Sequence, residues 1–144
     1  YDCRLLVPEE VVPVAAPSLA AAWAGKSVED LLAQAPLIAL EDPEQRWLDW
    51  RGWAAGQATG WLEPDYVMQV TNHGIALTQA LMGQGIALGW RGILKEMRES
   101  GTLAEMDYPA VHTECGYYLI APHGFFDSAE GHRLWSCLDR GKAS

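Results

Sequence analysis

Three residue pairs carry side chains that could hold a small molecule: Leu40-Glu41, Thr71-Asn72 and Gly89-Trp90. Thr71 and Asn72 supply a hydroxyl and an amide, and a helix starting at Asn72 would present free N–H donors to an anion. The same two residues also suit a strand end followed by a plain helix cap. Trp90 could stack on a ligand or pack inside the protein. Arg91, next in sequence, could pair with a ligand carboxylate or stand solvated at a helix end. Glu41 and Asp42 read first as carboxylates at a helix entry. A second use of Glu41 or Asp42 is charge complementarity to a cation held against the faces of Trp47 and Trp90, at about 0.5 to 2 kcal/mol per aromatic contact. A carboxylate effector held by N–H donors is the competing expectation.

Reactive constellations are sparse. His112 and Cys115 could form a nucleophile pair, but nothing nearby in sequence orients them. They could equally be two metal ligands, but no second pair stands at zinc spacing, so no metal site is expected. There is no phosphate loop, no glycine-rich dinucleotide fingerprint after a strand and no Gly-x-Ser-x-Gly elbow. No catalytic residue and no cofactor are expected.

The elements that must position these residues follow from apolar patterning. Val11 to Ala16 reads as a buried strand ending at Pro17, which opens a short helix to Trp23. Ser27 starts a second helix that Pro36 ends, and Leu37 to Leu40 is a second strand. Asp42-Pro43-Glu44-Gln45 has the form of a helix start, a capping residue followed by proline and then a residue able to reach back. On that helix Trp47, Trp50 and Ala54 share a face, with Trp53 to one side; such a stripe is more often core than binding surface. Asp65 to Thr71 is a third strand. Asn72 caps a helix burying Ala76, Leu77, Ala80 and Leu81, and Gly85 to Leu88 is a fourth strand. The helix from Arg91 to Glu99 buries Ile93, Leu94 and Met97 and stops at Gly101. Leu103 to Tyr108 and Val111 to Ala121 are extended, and a last helix starts at Asp127 to Glu130, burying Leu134, Trp135 and Leu138. Alternating strands and helices give an α/β fold with a mixed, mostly parallel sheet flanked by helices. In such sheets ligands bind beyond the carboxyl ends of the strands, which brings the three pairs to one cleft.

Composition narrows the function classes. The chain has 144 residues and a net charge of −9, from 10 basic and 19 acidic side chains. That surface repels phosphate backbones, so nucleic-acid binding by this chain is not expected. No apolar run is long enough to span a bilayer, and no membrane association is expected. Cys3, Cys115 and Cys137 are far apart and odd in number, which argues against a disulfide framework and for a reducing, cytoplasmic compartment. The chain starts without Met, and further residues upstream are expected.

Four stretches, in order, resemble one family. Glu10-Val11-Val12-Pro13-Val14-Ala15-Ala16-Pro17-Ser18-Leu19 is similar to the strand and helix that open the second lobe of the sensing domains of LysR-type transcriptional regulators. Pro36 to Asp42 with Trp47-Leu48-Asp49-Trp50 follows. Ala80-Leu81-Met82-Gly83-Gln84-Gly85-Ile86-Ala87-Leu88-Gly89-Trp90 resembles the family's sequence of apolar helix, glycine stop, strand and next helix. Tyr117-Tyr118-Leu119-Ile120-Ala121-Pro122 resembles the strand that returns to the first lobe. The resemblance implies a periplasmic-binding-protein-like lobe with an incomplete second one. Residues 1–10 would be a remnant of the first lobe and the crossing segment, residues 11–106 the second lobe, and residues 107–144 the return strand and C-terminal helix. It implies a non-enzymatic sensor that binds a small-molecule effector, self-associates as a homodimer or tetramer, and reaches DNA through a domain outside this chain. The alternatives are a solute-binding protein of a transport system, and a small α/β enzyme using His112 and Cys115.

Overall fold

The computed structural model describes residues 1–140. The first strand, β1 (Asp2–Ala15), is much longer than the expected Val11–Ala16. Its second half, Val11 to Ala15, is buried on both faces by helices and paired along both edges by strands. On one side β4 (Ala87–Trp90) runs antiparallel, in register Val11↔Trp90 to Val14↔Ala87. On the other, β5 (Ala104–Glu105) pairs antiparallel at Val14↔Glu105. The strand β6 (Val111–Ala121) also pairs with β1. The chain divides into two compact units, Glu10–His112 and Tyr1–Glu9 with the chain from Thr113 onward.

Between β1 and β6 the larger unit contains α1 (Pro17–Ala22), α2 (Val28–Gln34), β2 (Ile38–Leu40), α3 (Trp50–Gly56), β3 (Met68–Val70), α4 (His73–Leu81), β4, α5 (Arg91–Glu99) and β5. The expected parallel character holds for β2 and β3, paired Ile38↔Met68 to Leu40↔Val70, and for the bridge Leu37↔Ile86 that carries β2 toward β4. β1 supplies the antiparallel part of this mixed sheet.

Side-chain alternation along β1 splits the core into two layers. Val11 and Ala15 pack with Leu31, Leu32, Trp50 and Trp53 of α2 and α3. Val12 and Val14 pack with Ala76, Leu77, Ala80 and Leu94 of α4 and α5. The sheet of this unit therefore carries helices on both faces.

Several local expectations are corrected. Asp42 does not start a helix. Its Oδ2 accepts the N–H groups of Arg46 and Trp47, four and five residues on, and Gln45 adopts φ +51°, which an α-helix does not accommodate. The helix begins at Trp50, capped by Asp49, whose Oδ1 accepts the Gly52 N–H at 2.8 Å. Trp47 thus leaves the stripe, and Trp53, expected to one side, is fully buried with Trp50. Leu81 and Ile93 are exposed, and Met97 is half-buried. The core takes a narrower face of each helix than the apolar residues could fill.

In the smaller unit, α6 (Ala129–Arg140) follows a 3-10 turn at Phe125–Asp127. Ser128 caps α6 by accepting the Gly131 N–H at 3.0 Å. The Arg4 guanidinium sits over the rings of Phe126 and Trp135, 4.8 and 5.4 Å from their centroids. Trp135 and Leu138 are half-buried, and Leu134, expected in the core, is 40% exposed. The three cysteines are free and exposed.

Candidate functional site

The parallel run of β2, β3 and β4 sets the direction of everything at its carboxyl edge. Leu40, Val70 and Trp90 end these strands, and the Glu41 N–H donates to the Val70 carbonyl at 2.7 Å, tying the first two ends together. Two helices start there. Asn72 caps α4, its Oδ1 accepting the Ile75 N–H at 3.2 Å. Trp90 precedes α5 with no side-chain cap of its own.

Three aromatic rings close on one another at this edge. Trp47 stacks on His73 with centroids 4.9 Å apart and planes 21° from parallel. Trp90 meets both rings edge-on, at 4.8 Å in each case. Beneath them lies a recess lined by Ile38, Leu40, Leu48, Ala76 and Leu88 among others, with about 10 Å³ of room for water. That is space for one water at most, so this recess is filled by the protein's own side chains. The His73 Nε2 is buried without a hydrogen-bond partner among the described residues. Burial pushes the His73 imidazolium below its ordinary pKa near 6.5, opposed by a hydrogen bond to the Leu88 backbone.

A second recess, open to solvent and about 170 Å³ in volume, lies alongside. Leu40, Glu41, Asp49, Trp50, Glu63 and Tyr66 line it, with Ala39 and Gln69 completing the wall. Trp50 forms a fixed floor, its indole N–H donating to the Ile38 carbonyl at 2.8 Å. Three acidic residues, Glu41, Asp49 and Glu63, line this space, and among the described residues no basic one does. Burial, with the charges of Glu63 and Asp49, pushes the Tyr66 pKa up to about 12, so its hydroxyl stays a donor at neutral pH. The arrangement suits a ligand with a cationic group and a hydrogen-bond acceptor.

The structure thus brings Leu40, Glu41, Asn72 and Trp90 to one edge. Leu40 lines both recesses, Glu41 the open one and Trp90 the filled one. Thr71 is exposed just beyond β3, and Asn72 is exposed with its side chain engaged as a cap. Gly89 is buried within β4, where a Cβ would collide with Leu94 and approach Val14 within 3.0 Å; glycine there admits the packing of α5. Arg91 is committed to Glu105 at 2.9 Å and Glu10 at 3.3 Å. Trp90 is buried and one face of Trp47 is covered by His73, with the two indoles meeting edge to face, so the faces expected to receive a cation are taken up by the protein's own rings. His73, Asp49, Glu63 and Tyr66 were not among the expected site residues. His73 follows the capping Asn72 directly, but nothing local marks it as the ring that Trp47 lies on. His112 and Cys115 stand three apart on β6, so strand alternation sends their side chains to opposite faces. Among the described residues no three His, Cys, Asp or Glu side chains are grouped to hold a metal ion, and no helix is long and apolar enough to cross a membrane.

The fold recurs in solved structures. The effector domain of the transcriptional regulator AmpR of Pseudomonas aeruginosa matches with a TM-score of 0.67 at 17% identity, covering 99% of this chain and 69% of that one. The AmpR effector binding domain from Citrobacter freundii matches at 0.62 and 19% identity, covering 96% of this chain and 68% of that one. Full-length AphB, the Vibrio cholerae virulence activator, matches at 0.55 and 20% identity; the match covers 97% of this chain and 47% of that longer one. At these identities the likeness is one of fold. No curated protein sequence matches the chain. The model of the LysR substrate binding domain family matches residues 1–142, and the chain belongs to that family.

Proposed function

We propose that this chain is the effector-sensing part of a LysR-type transcriptional regulator and that it binds a small molecule at the carboxyl edge of β2, β3 and β4. The observation that carries the reading is the family match across residues 1–142. The solved relatives named for effector domains point the same way. The unit Glu10–His112, close to the expected lobe of residues 11–106, holds this edge, and Tyr1–Glu9 with the chain from Thr113 onward belongs to the other lobe. Of the expected set Leu40, Glu41, Thr71, Asn72, Gly89 and Trp90, the first four offer the ligand contacts, extended by Asp49, Glu63 and Tyr66, while Gly89 and Trp90 are buried and support the edge from within. The open recess, about 170 Å³, is smaller than the pockets that enclose drug-sized ligands and suits an effector of few heavy atoms. Its three carboxylates favour an effector with an amine or other cationic group, with any anionic end toward Asn72 and the start of α4. Binding acts on transcription by favouring one arrangement of a homo-oligomer, with DNA contacted through a separate domain.

Titration calorimetry with 1,4-diaminobutane and with succinate tests the ligand chemistry. The diamine is expected to bind, and Glu41→Gln to weaken it by roughly tenfold, or about 1.4 kcal/mol. Saturable binding of succinate alone would reject the cationic reading, and a silent titration with both would remove the recess as the site.

A further inference from the structure

The segment Glu41–Asp49, between β2 and α3, contains neither helix nor strand. Its two ends, Glu41 and Asp49, both line the acidic recess. Within it, Asp42 gathers the backbone N–H groups of Arg46 and Trp47, the latter at 3.0 Å, into one turn around the left-handed Gln45. The far side of that turn is fastened by a single aromatic side chain: Trp47, stacked on His73 and edged by Trp90. His73 and Trp90 are the residues that begin α4 and end β4, so the ring they offer is rigidly based. Leu48 follows into the filled recess beneath.

We propose that Glu41–Asp49 is a strap latched by Trp47 onto His73 and Trp90, and that the latched strap is what sets Glu41 and Asp49 together at the recess. This rests on the reading of that recess as the effector site. The strap is hinged where its ends leave β2 and enter α3. A ligand held between the two carboxylates stabilises the latched form, and the latch in turn strengthens binding, because each favours the same arrangement. The rest of the lobe does not need to move for the site to open.

Hydrogen exchange on the whole chain, read by mass spectrometry at peptides covering residues 41–49 and 86–90, tests the latch without any ligand. Trp47→Ala is expected to speed exchange across 41–49 by roughly tenfold, the effect of losing a ring packed on two others, while 86–90 stays protected. Trp47→Phe is expected to keep most of the protection, since a ring still stacks on His73. Unchanged exchange across 41–49 in Trp47→Ala overturns the latch, and so does equal acceleration in 41–49 and 86–90, which would make Trp47 a general core residue. With 1,4-diaminobutane the wild-type strap is expected to exchange more slowly, and Trp47→Ala to bind the diamine at least several-fold more weakly. A diamine that binds both forms equally overturns the coupling. A diamine that binds neither, beside a strap that loosens in Trp47→Ala, supports the latch and rejects the ligand chemistry instead.

Discussion

The two units of this chain are held together by different means. In Glu10–His112, β1 is covered on both faces, and two apolar layers bury residues from every helix of the unit except α1, whose Leu19 and Ala20 are half-buried. In the smaller unit only Ala121 and Phe126, among the described apolar residues, are buried. Its strands pack one helix through an arginine over two rings, and Leu5, Tyr117, Tyr118, Ile120 and Leu134 remain exposed. A strand pair with so little core is marginal in water. The larger unit has its own two-layered core, and the smaller one has almost none among the described residues.

The sharpest test of that difference is a pair of core truncations. Trp53→Ala in the larger unit is expected to cost about 3–5 kcal/mol, because Trp53 is fully buried in the core layer that includes Val11, Ala15, Leu31 and Trp50. Phe126→Ala in the smaller unit should cost clearly less, since neighbours open to solvent can close over the gap. Urea denaturation followed by far-UV circular dichroism measures both. Equal costs would mean that the smaller unit has a core as demanding as the larger.

The response to pH should also differ between the units, in opposite directions. Burial holds the His73 pKa below its ordinary value near 6.5, so the unfolded chain takes up a proton first as pH falls. Stability of the larger unit should therefore decline as pH drops through 6.5 and level off below the depressed native pKa. In the smaller unit His123 lies 2.8 Å from Asp2, whose hydrogen bond and charge raise its pKa. That stabilisation is present below pH 6.5 and is lost as pH rises through the raised value. Denaturation midpoints from pH 8 to pH 5 for wild type and His73→Phe read the first effect: the wild-type midpoint should fall relative to that of the variant as pH drops, and parallel curves would reject it. Exchange at the Gly124 amide, which donates to Asp2, reads the second, and should be slower at pH 6 than at pH 8 after correction for intrinsic rates.

The smallest expected effect on folding is at the exposed apolar face of the smaller unit. Replacing Tyr118 and Ile120 by serine and threonine should shift stability by no more than about 0.5 kcal/mol per site. Sedimentation velocity should nonetheless show weaker self-association. Undiminished association would place the partner surface elsewhere.

How much was legible in the sequence depends on the range of the forces involved. Ser27 and Asn72 cap their helices as read, because a cap is a contact between residues three apart and needs nothing else. The apolar strands and the stopping glycines were readable for the same reason, and with the family's ordered stretches they were enough to place the chain in its fold. Asp42 shows the limit: its spacing to the following residues is that of a cap, yet the turn it organises is not helical, because Trp47 is drawn to His73, twenty-six positions away in sequence, and the next helix waits for Asp49. Burial of Trp53 rather than Trp47, the antiparallel course of β1 between β4 and β5, and the meeting of Glu41, Asp49 and Glu63 around one recess are likewise contacts between distant segments. Local spacing determined which elements form and where most of them begin. Which side chains share a core, and which carboxylates share a site, was decided only when packing chose one face of each element.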